Sequence, residues 1–126
     1  MLTGRSTYEV GLAAGNTNAY PHLRHLVFST SMRHSPDPTV ELVTTDPVQT
    51  ARALKAEDGL DIWLAGGGKL AYALLPEIDR LILKQTPSVI GAGIPIFDGP
   101  FQLQLFRPTD LRQLASGIRI LSFDWP

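Results

Sequence analysis

Residues 61–75 read Asp-Ile-Trp-Leu-Ala-Gly-Gly-Gly-Lys-Leu-Ala-Tyr-Ala-Leu-Leu, and this stretch decides the fold. It predicts a short buried strand, then a tight glycine turn, then a helix that stops at Pro76. Successive glycines leave backbone N–H groups uncovered where a helix begins, and the helix dipole there favours an anion such as a phosphate. The stretch therefore predicts part of a nucleotide site, although a glycine turn between strand and helix is also ordinary packing.

The composition is that of one globular domain. The chain has 126 residues, of which 44% are hydrophobic, so it is long enough for one core and too short for two. A net charge of −1 gives no electrostatic reason to expect nucleic acid or an anionic membrane surface as a partner. No apolar run reaches the length of a membrane span. The absence of cysteine fits a reducing compartment, so we expect a cytoplasmic protein.

The first residues predict a second helix start that could bind an anion. No leading strand is expected, and Thr3 or Ser6 would cap the helix, with Ser6 and Glu9 at the spacing of a capping box. In the functional interpretation, the backbone of residues 4–7 binds an anion and Arg5 adds a fixed positive charge. The alternative is an ordinary cap beside a solvent-exposed arginine, and this segment alone favours that alternative.

A strand predicted over residues 24–29 ends in hydroxyl side chains. They are Ser29, Thr30 and Ser31. Open α/β sheets bind ligands at the carboxyl ends of their strands, and Arg33 and His34 lie just beyond this one. The alternative is a hydrophilic turn that leads into a proline-rich loop.

The histidines invite a metal hypothesis. They are His22, His25 and His34. None has a carboxylate or cysteine partner at the spacing of metal ligands, so we expect no metal site.

Strands and helices alternate through the middle of the chain. Residues 39–44 and 78–85 predict strands, and Asp46 caps an intervening helix that has Pro47 at its first position. This alternation indicates an α/β fold with a parallel sheet and right-handed crossovers.

The end of the chain changes character. Residues 103–114 predict a strand that is broken near Arg107 and Pro108, and a turn at Ser116 and Gly117 leads into a strand over residues 118–124. Two strands joined by so short a turn must pair antiparallel. We therefore predict a mainly parallel sheet with helices on both faces and a carboxyl-terminal antiparallel hairpin.

Four motifs together resemble a known family. They occur in its order and spacing, they cover nearly the whole chain, and they read Gly4-Arg5-Ser6-Thr7-Tyr8-Glu9, Ser29-Thr30-Ser31, Ile62-Trp63-Leu64-Ala65-Gly66-Gly67-Gly68 and Ile90-Gly91-Ala92-Gly93-Ile94-Pro95-Ile96-Phe97. The chain resembles the dihydrofolate reductase-like superfamily. Within it, the chain is most similar to the riboflavin-biosynthesis reductase branch, the carboxyl-terminal domain of a bifunctional deaminase-reductase.

The resemblance implies a three-layer dihydrofolate reductase-like fold that binds NADPH. In this family the Gly-Arg-x-Thr helix start and the serine-rich strand end hold the cofactor's phosphates, including the 2′-phosphate. That assignment covers Gly4, Arg5, Ser6, Thr7, Ser29, Thr30, Ser31 and Arg33. The glycine turn would cradle the pyrophosphate through Ala65, Gly66, Gly67, Gly68, Lys69 and Leu70.

The resemblance also implies a reaction and a partner. Hydride would pass from the nicotinamide to a small molecule with a pteridine-like or aminopyrimidine ring. Members of this branch are often homodimers, so we expect a homodimer. No residue of this chain matches a catalytic proton donor, so none is assigned.

The beginning of the chain departs from the family pattern. The family fold starts with a central strand, a mobile loop, a helix and a second strand, whereas this chain begins three residues ahead of Gly4. The part without a counterpart normally lines the substrate and nicotinamide pocket. We therefore expect one domain over residues 1–126, shortened at its amino terminus, with exposed ladder groups that another subunit could pair.

Three hypotheses remain open on the sequence. The first is an NADPH-dependent reductase of the family type, and the second is a non-catalytic remnant of that fold that binds a nucleotide or nothing. The third is another doubly wound nucleotide-binding protein, such as a nicotinamide dehydrogenase. The third is disfavoured because no acidic residue ends the strand that follows the Gly66 turn.

Overall fold

The computed structural model describes all of residues 1–126, which form two compact units. The first unit comprises Met1–Glu77 and Ile94–Gly99, and the second comprises Ile78–Gly93 and Pro100–Pro126. Each unit contains one β-sheet. The chain contains no helix with both the length and the apolar character needed to cross a membrane.

The first unit alternates strands with helices. Its elements are β1 (Leu2–Gly4), α1 (Arg5–Ala13), β2 (His25–Phe28), β3 (Val40–Val43), α2 (Pro47–Lys55), β4 (Leu64–Gly66), α3 (Gly68–Ala73) and a 3-10 turn (Leu75–Glu77). The strands form a four-stranded sheet in the order β3-β2-β1-β4, and every pair is parallel. The predicted α/β class and parallel sheet are confirmed.

Strand β1 lies inside this sheet, so the prediction of no leading strand is wrong. Leu2 and Thr3 are 2% and 4% exposed. The N–H of Leu2 donates to the carbonyl of Trp63 at 2.7 Å, and the N–H of Leu26 donates to the carbonyl of Met1 at 3.0 Å. Three residues are too few to show a periodic pattern, and these long-range hydrogen bonds are what define the strand.

Helices cover both faces of the parallel sheet, as predicted. Alternate residues of a strand point to opposite faces, and the buried side chains separate accordingly into two clusters. One cluster, on the side of α2 and α3, comprises Leu2, Leu26, Phe28, Ala51, Leu70 and Leu74. The other, on the side of α1, comprises Tyr8, Val27 and Val40.

The two helix starts predicted to be capped differ in the structure. Asp46 caps α2, since its Oδ1 accepts a hydrogen bond from the N–H of Gln49 at 2.9 Å and Pro47 follows it. By contrast, α1 begins after Gly4 and no side chain caps it. The predicted caps at Thr3 and Ser6 are wrong, because Thr3 belongs to β1 and α1 begins ahead of Ser6.

The strand and the helix within residues 61–75 are both shorter than predicted. The expected strand was apolar and buried on both faces, but Ile62 and Trp63 are 37% and 45% exposed and precede β4. Strand β4 is an outer strand of its sheet, which explains this exposure. Helix α3 ends at Ala73, and Pro76 lies inside the following 3-10 turn.

The second unit is an antiparallel sheet. Its strands are β5 (Arg80–Gln85), β6 (Arg107–Gln113) and β7 (Arg119–Asp124), in the order β5-β7-β6. The predicted antiparallel hairpin is confirmed as β6 and β7. The predicted bounds of its first strand are wrong, because β6 begins at Arg107 and residues 103–106 are not part of it. The hairpin does not extend the parallel sheet, because β7 pairs with β5 and forms a separate sheet.

Candidate functional site

The carboxyl ends of the parallel strands bring together most of the residues predicted to bind a cofactor. Strand β1 ends at Gly4, β2 leads directly into Ser29, and β4 ends at Gly66. Because these strands are parallel neighbours, their carboxyl ends lie along one edge of the sheet. Ligands in open α/β sheets bind at this edge.

Two strand-to-helix turns meet at that edge. A Cβ atom placed on Gly67 would lie 3.5 Å from both the N and Cα atoms of Gly4, and 3.5 Å from the Oγ1 of Thr7. Gly67 has a φ angle of 104°, which residues other than glycine rarely adopt. The two turns therefore approach each other backbone to backbone, with Thr7 beside them.

The start of α1 is open to an anion. Its first N–H groups donate no hydrogen bond to a capping side chain, and its first turn contains no acidic residue. Such unpaired N–H groups and the positive end of the helix dipole favour a negatively charged ligand. The guanidinium of Arg5 adds a full positive charge at this position.

Arg5 joins α1 to the turn that follows β2. Its Nη1 donates a hydrogen bond to the Oγ of Ser31. Its Nε lies 3.6 Å from the Oε1 of Glu9, and the Arg5 side chain is 45% exposed. Ser31 therefore fixes Arg5 at the carboxyl edge of the sheet, while Glu9 partly neutralises its charge.

The other hydroxyl residues of the predicted cluster have separate roles. Ser29 is buried, and its Oγ accepts hydrogen bonds from the N–H groups of Ser31 and Met32 at 3.2 and 2.9 Å, so it shapes the turn. Thr30 and Arg33 are exposed, and neither forms a hydrogen bond with Arg5. Of this group, Ser31 is the residue that the structure joins to the start of α1.

The third glycine of the turn packs against protein rather than facing the start of α1. A Cβ atom on Gly68 would lie 2.4 Å from the carbonyl oxygen of Pro95, and the carbonyl of Gly68 accepts a hydrogen bond from the N–H of Asp98 at 3.0 Å. Gly68 is thus needed for the close approach of residues 94–99. Helix α3 is only six residues long, so its dipole is weaker than the sequence suggested.

The remaining predicted residues differ in what they can offer a ligand. Leu70 is buried in the core, so only its backbone is available. Ser6 and Lys69 are exposed, and Ala65 is half-buried. Lys69 is therefore positioned to reach either a phosphate or solvent.

A cavity on the α1 side of the sheet was not predicted from the sequence. It measures about 240 Å³, and its lining includes Tyr8, Tyr20, Trp63 and His25. Tyr20 and Trp63 pack edge to face with ring centroids 5.1 Å apart. His25 begins β2 and Trp63 precedes β4, so part of this lining lies at the amino ends of the strands. The lining also includes Thr7 and Ala65, and Thr7 lies beside the glycine turn.

His25 is a buried polar residue in that lining. Its Nε2 forms a 2.8 Å hydrogen bond with the Oγ1 of Thr3, and its Nδ1 has no partner. Burial lowers the pKa of His25, and the nearby α-amino charge of Met1 lowers it further, while Asp37 opposes this effect. The alternation of residues 25–28 was the available signal, because it puts His25 on the same face as Val27.

Comparisons with known proteins identify a family. Residues 10–120 of the chain match the family described as the RibD C-terminal domain. The uncharacterized protein YwjB of Bacillus subtilis is 33% identical over 99 residues, which are 77% of this chain and 57% of that protein. The uncharacterized protein YyaP of the same organism is 30% identical over 80 residues, which are 62% of this chain and 43% of that protein. The chain thus spans about half the length of these relatives.

Solved structures support the same fold. A riboflavin biosynthesis protein from Shewanella sp. PV-4 superposes with a TM-score of 0.83 at 21% identity, over 98% of this chain and 71% of that chain. A diaminohydroxyphosphoribosylaminopyrimidine deaminase/5-amino-6-(5-phosphoribosylamino)uracil reductase from Thermotoga maritima superposes with a TM-score of 0.71 at 17% identity, over 99% and 44%. The predicted dihydrofolate reductase-like fold is confirmed.

Proposed function

Because this chain belongs to the RibD C-terminal domain family and has its reductase-type fold, we propose that it is an NADPH-dependent reductase. The hydride would be delivered to a small molecule with a pteridine-like or aminopyrimidine ring. The name of the Thermotoga maritima protein includes a uracil reductase activity on a phosphoribosylamino compound, and this supports the choice of an aminopyrimidine.

One observation carries the proposal. A Cβ atom placed on Gly67 would lie only 3.5 Å from the backbone of Gly4, so the two turns lie close together. Ser31 holds Arg5 at the same edge of the sheet. Two backbone turns with uncovered N–H groups and one positive charge match the needs of a ligand that carries several phosphates. NADPH is such a ligand, and a side chain at Gly67 would fill the space between the turns.

We assign the phosphate groups to these elements as follows. Arg5, Ser31 and the first N–H groups of α1 bind the 2′-phosphate, because a guanidinium forms charge-assisted hydrogen bonds with phosphate oxygens. The backbone of Gly66 and Gly67 binds the pyrophosphate, since glycine allows the ligand to approach the main chain closely. Thr7 lies beside this turn, since a Cβ atom on Gly67 would lie 3.5 Å from its Oγ1.

When bound, NADPH would supply the hydride for the reduction. The described residues contribute binding, orientation and a fixed positive field. None of them is assigned as a proton donor.

A titration tests the binding step. Purified protein is titrated with NADPH and followed by the cofactor's fluorescence, and the proposal expects saturable binding. The consumption of NADPH is then measured with and without an aminopyrimidine bearing a phosphoribosylamino group. Saturable binding without consumption would favour a non-catalytic remnant of the fold, and no saturable binding would overturn the proposal.

A further inference from the structure

Glu9 places a carboxylate beside the cation that is assigned to the cofactor's 2′-phosphate. It lies one helical turn after Arg5, so the two side chains share one face of α1. The Oε1 of Glu9 is 3.6 Å from the Nε of Arg5, and the side chains are 50% and 45% exposed. Glu9 is the one acidic residue of α1. A negative charge therefore lies at the edge of a site proposed to bind negative charge.

The guanidinium of Arg5 still has donors for a ligand. A guanidinium carries several N–H donors and accepts no hydrogen bond. Its Nη1 donates to the Oγ of Ser31, and its Nε lies beside the carboxylate of Glu9. Its Nη2 takes part in no hydrogen bond or ion pair of the structure. Ser31 and Glu9 thus occupy two sides of the group, and Nη2 is left for a phosphate oxygen.

The two neighbours of Arg5 differ in what they contribute. The Ser31 hydroxyl is neutral and accepts a hydrogen bond, so it holds the guanidinium in place with or without a ligand. The Glu9 carboxylate, at 3.6 Å, lies beyond the roughly 2.7–2.9 Å of a charge-assisted hydrogen bond. An exposed ion pair of this kind adds little to stability. The main contribution of Glu9 is therefore its charge.

The charge of Glu9 acts unequally on the two nicotinamide cofactors. NADPH carries a 2′-phosphate, and a phosphate monoester has a charge of about −1.5 to −2 at neutral pH. NADH lacks this group, and both cofactors carry the pyrophosphate that is assigned to Gly66 and Gly67. A carboxylate and a phosphate that approach the same guanidinium compete for it and repel each other. Glu9 should therefore weaken the binding of NADPH and leave that of NADH nearly unchanged.

We propose that Glu9 is a specificity-determining residue that competes with the 2′-phosphate for Arg5. Its carboxylate limits the preference for NADPH that Arg5 and Ser31 create. The oxidised cofactor carries the same 2′-phosphate, so Glu9 also weakens the retention of NADP⁺ after hydride transfer. This proposal rests on the proposed function, because without a bound 2′-phosphate Glu9 has nothing to compete with.

The test removes the charge of Glu9 and keeps the size of the side chain. Native protein and Glu9→Gln are titrated with NADPH and with NADH, and binding is followed by the fluorescence of the reduced nicotinamide. The salt concentration is about 50 mM, at which the screening length exceeds about 10 Å. Glu9→Gln is expected to bind NADPH about fivefold more tightly, which corresponds to about 1 kcal/mol. Its affinity for NADH is expected to change less than about twofold.

Salt separates an effect of charge from an effect of shape. At about 1 M salt the screening length falls to about 3 Å, which is shorter than the 3.6 Å between the Arg5 and Glu9 atoms. The advantage of Glu9→Gln for NADPH is expected to fall below about twofold under that condition. A change in packing would not respond to salt in this way.

Two further variants serve as controls. Glu57→Gln removes an exposed carboxylate that pairs with Arg24 and is not assigned to the cofactor, so it should leave both affinities unchanged. In an Arg5→Ala background, Glu9→Gln should gain less than about twofold for NADPH, because the cation for which Glu9 competes is gone. Circular dichroism of each variant shows whether it is folded.

Three results would overturn this proposal while the native protein still binds NADPH. They are an affinity of Glu9→Gln for NADPH that is unchanged or weaker, an equal gain for NADPH and NADH, and a full gain in the Arg5→Ala background. An unchanged or weaker affinity would assign Glu9 to holding Arg5 in place. No saturable binding of NADPH by the native protein would instead overturn the proposed function, and this inference with it.

Discussion

Arg5, the first residue of α1, donates a hydrogen bond to Ser31, which lies 26 positions later in the chain. This contact ties the start of a helix to the turn after a neighbouring strand, and it holds a positive charge where two glycine turns meet. The charge is half-exposed, so it remains available to a ligand. The proposed binding of NADPH depends on this arrangement and on the glycine turn beside it.

Gly67→Ala is expected to weaken NADPH binding and to destabilise the fold. The variant is strained because the φ angle at Gly67 is 104°. Its new Cβ would lie 3.5 Å from the backbone of Gly4 and would fill the gap between the turns. Strain of this kind costs on the order of 1–3 kcal/mol. Urea unfolding gives the change in the free energy of unfolding, and a fluorescence titration gives the affinity for NADPH.

Gly15→Ala is the matched control for this variant. Gly15 also has a positive φ angle, 78°, but a Cβ there would meet no atom within 4 Å. It should lose about 1 kcal/mol of stability and retain its affinity for NADPH. Equal losses of affinity in the two variants would show that the effect is general and does not arise at the turn.

The capped start of α2 and the uncapped start of α1 provide a second prediction. Asp46→Ala should lower the free energy of unfolding by about 1 kcal/mol, because the Asp46 carboxylate accepts a hydrogen bond from the N–H of Gln49. Ser6→Ala should change it by less than about 0.5 kcal/mol, since no side chain caps α1. Urea unfolding of both variants measures these two changes in the free energy of unfolding. A large loss in the Ser6 variant would restore the capping box that the sequence suggested.

A third prediction concerns Glu77, which joins the 3-10 turn to α2. Its side chain is only 13% exposed, and its carboxylate lies 2.7 Å from the Nε of Arg52 and 3.9 Å from the Nζ of Lys55. Glu77→Gln should cost about 1–2 kcal/mol, because the group is largely shielded from water. Glu57→Gln, in an exposed pair with Arg24, should cost less than about 0.5 kcal/mol. Similar losses in the free energy of unfolding for Glu77→Gln and Glu57→Gln, measured in urea, would contradict the idea that shielding from water strengthens the Glu77 ion pair.

The pH dependence of stability provides a fourth prediction. Burial lowers the pKa of His25 below its usual 6.5 in the folded protein. The unfolded chain therefore binds a proton more readily as the pH falls through about 6.5, so the free energy of unfolding should decrease from neutral to mildly acidic pH. The urea midpoint, measured from about pH 7 to about pH 5, should fall in the native protein. This fall should be smaller in His25→Gln than in His22→Gln, which replaces an exposed histidine and serves as the control. Identical pH profiles for all three proteins would exclude His25 as the cause.

The sequence was sufficient to predict the fold class, the parallel sheet and the carboxyl-terminal antiparallel hairpin. Strong local patterns carried those predictions, such as the Asp46-Pro47 cap and the short turn at Ser116 and Gly117. Their physical basis is local, since a cap or a tight turn is set by residues within a few positions of each other. The glycine turn at Gly66 and Gly67 was recognisable for the same reason.

Features that depend on distant partners were not predictable in this way. Strand β1 is defined by hydrogen bonds to Trp63 and Leu26, and its three residues carry no periodic signal. The role of Gly68 depends on Pro95, which is distant in the sequence. The sequence also could not distinguish Ser31, which contacts Arg5, from Ser29, which shapes the turn, because hydroxyl residues in a row look alike until their partners are known.

The most direct test of the central claim is the preference for NADPH over NADH. Arg5 and Ser31 are assigned to the additional phosphate that distinguishes the two cofactors, so the native protein should bind NADPH more tightly. Arg5→Ala should weaken NADPH binding about tenfold, or about 1.4 kcal/mol, and leave NADH binding nearly unchanged. Arg112→Ala, which removes a positive charge from the second unit, should affect neither. A preference for NADPH that is unchanged in Arg5→Ala, or no preference in the native protein, would contradict the account.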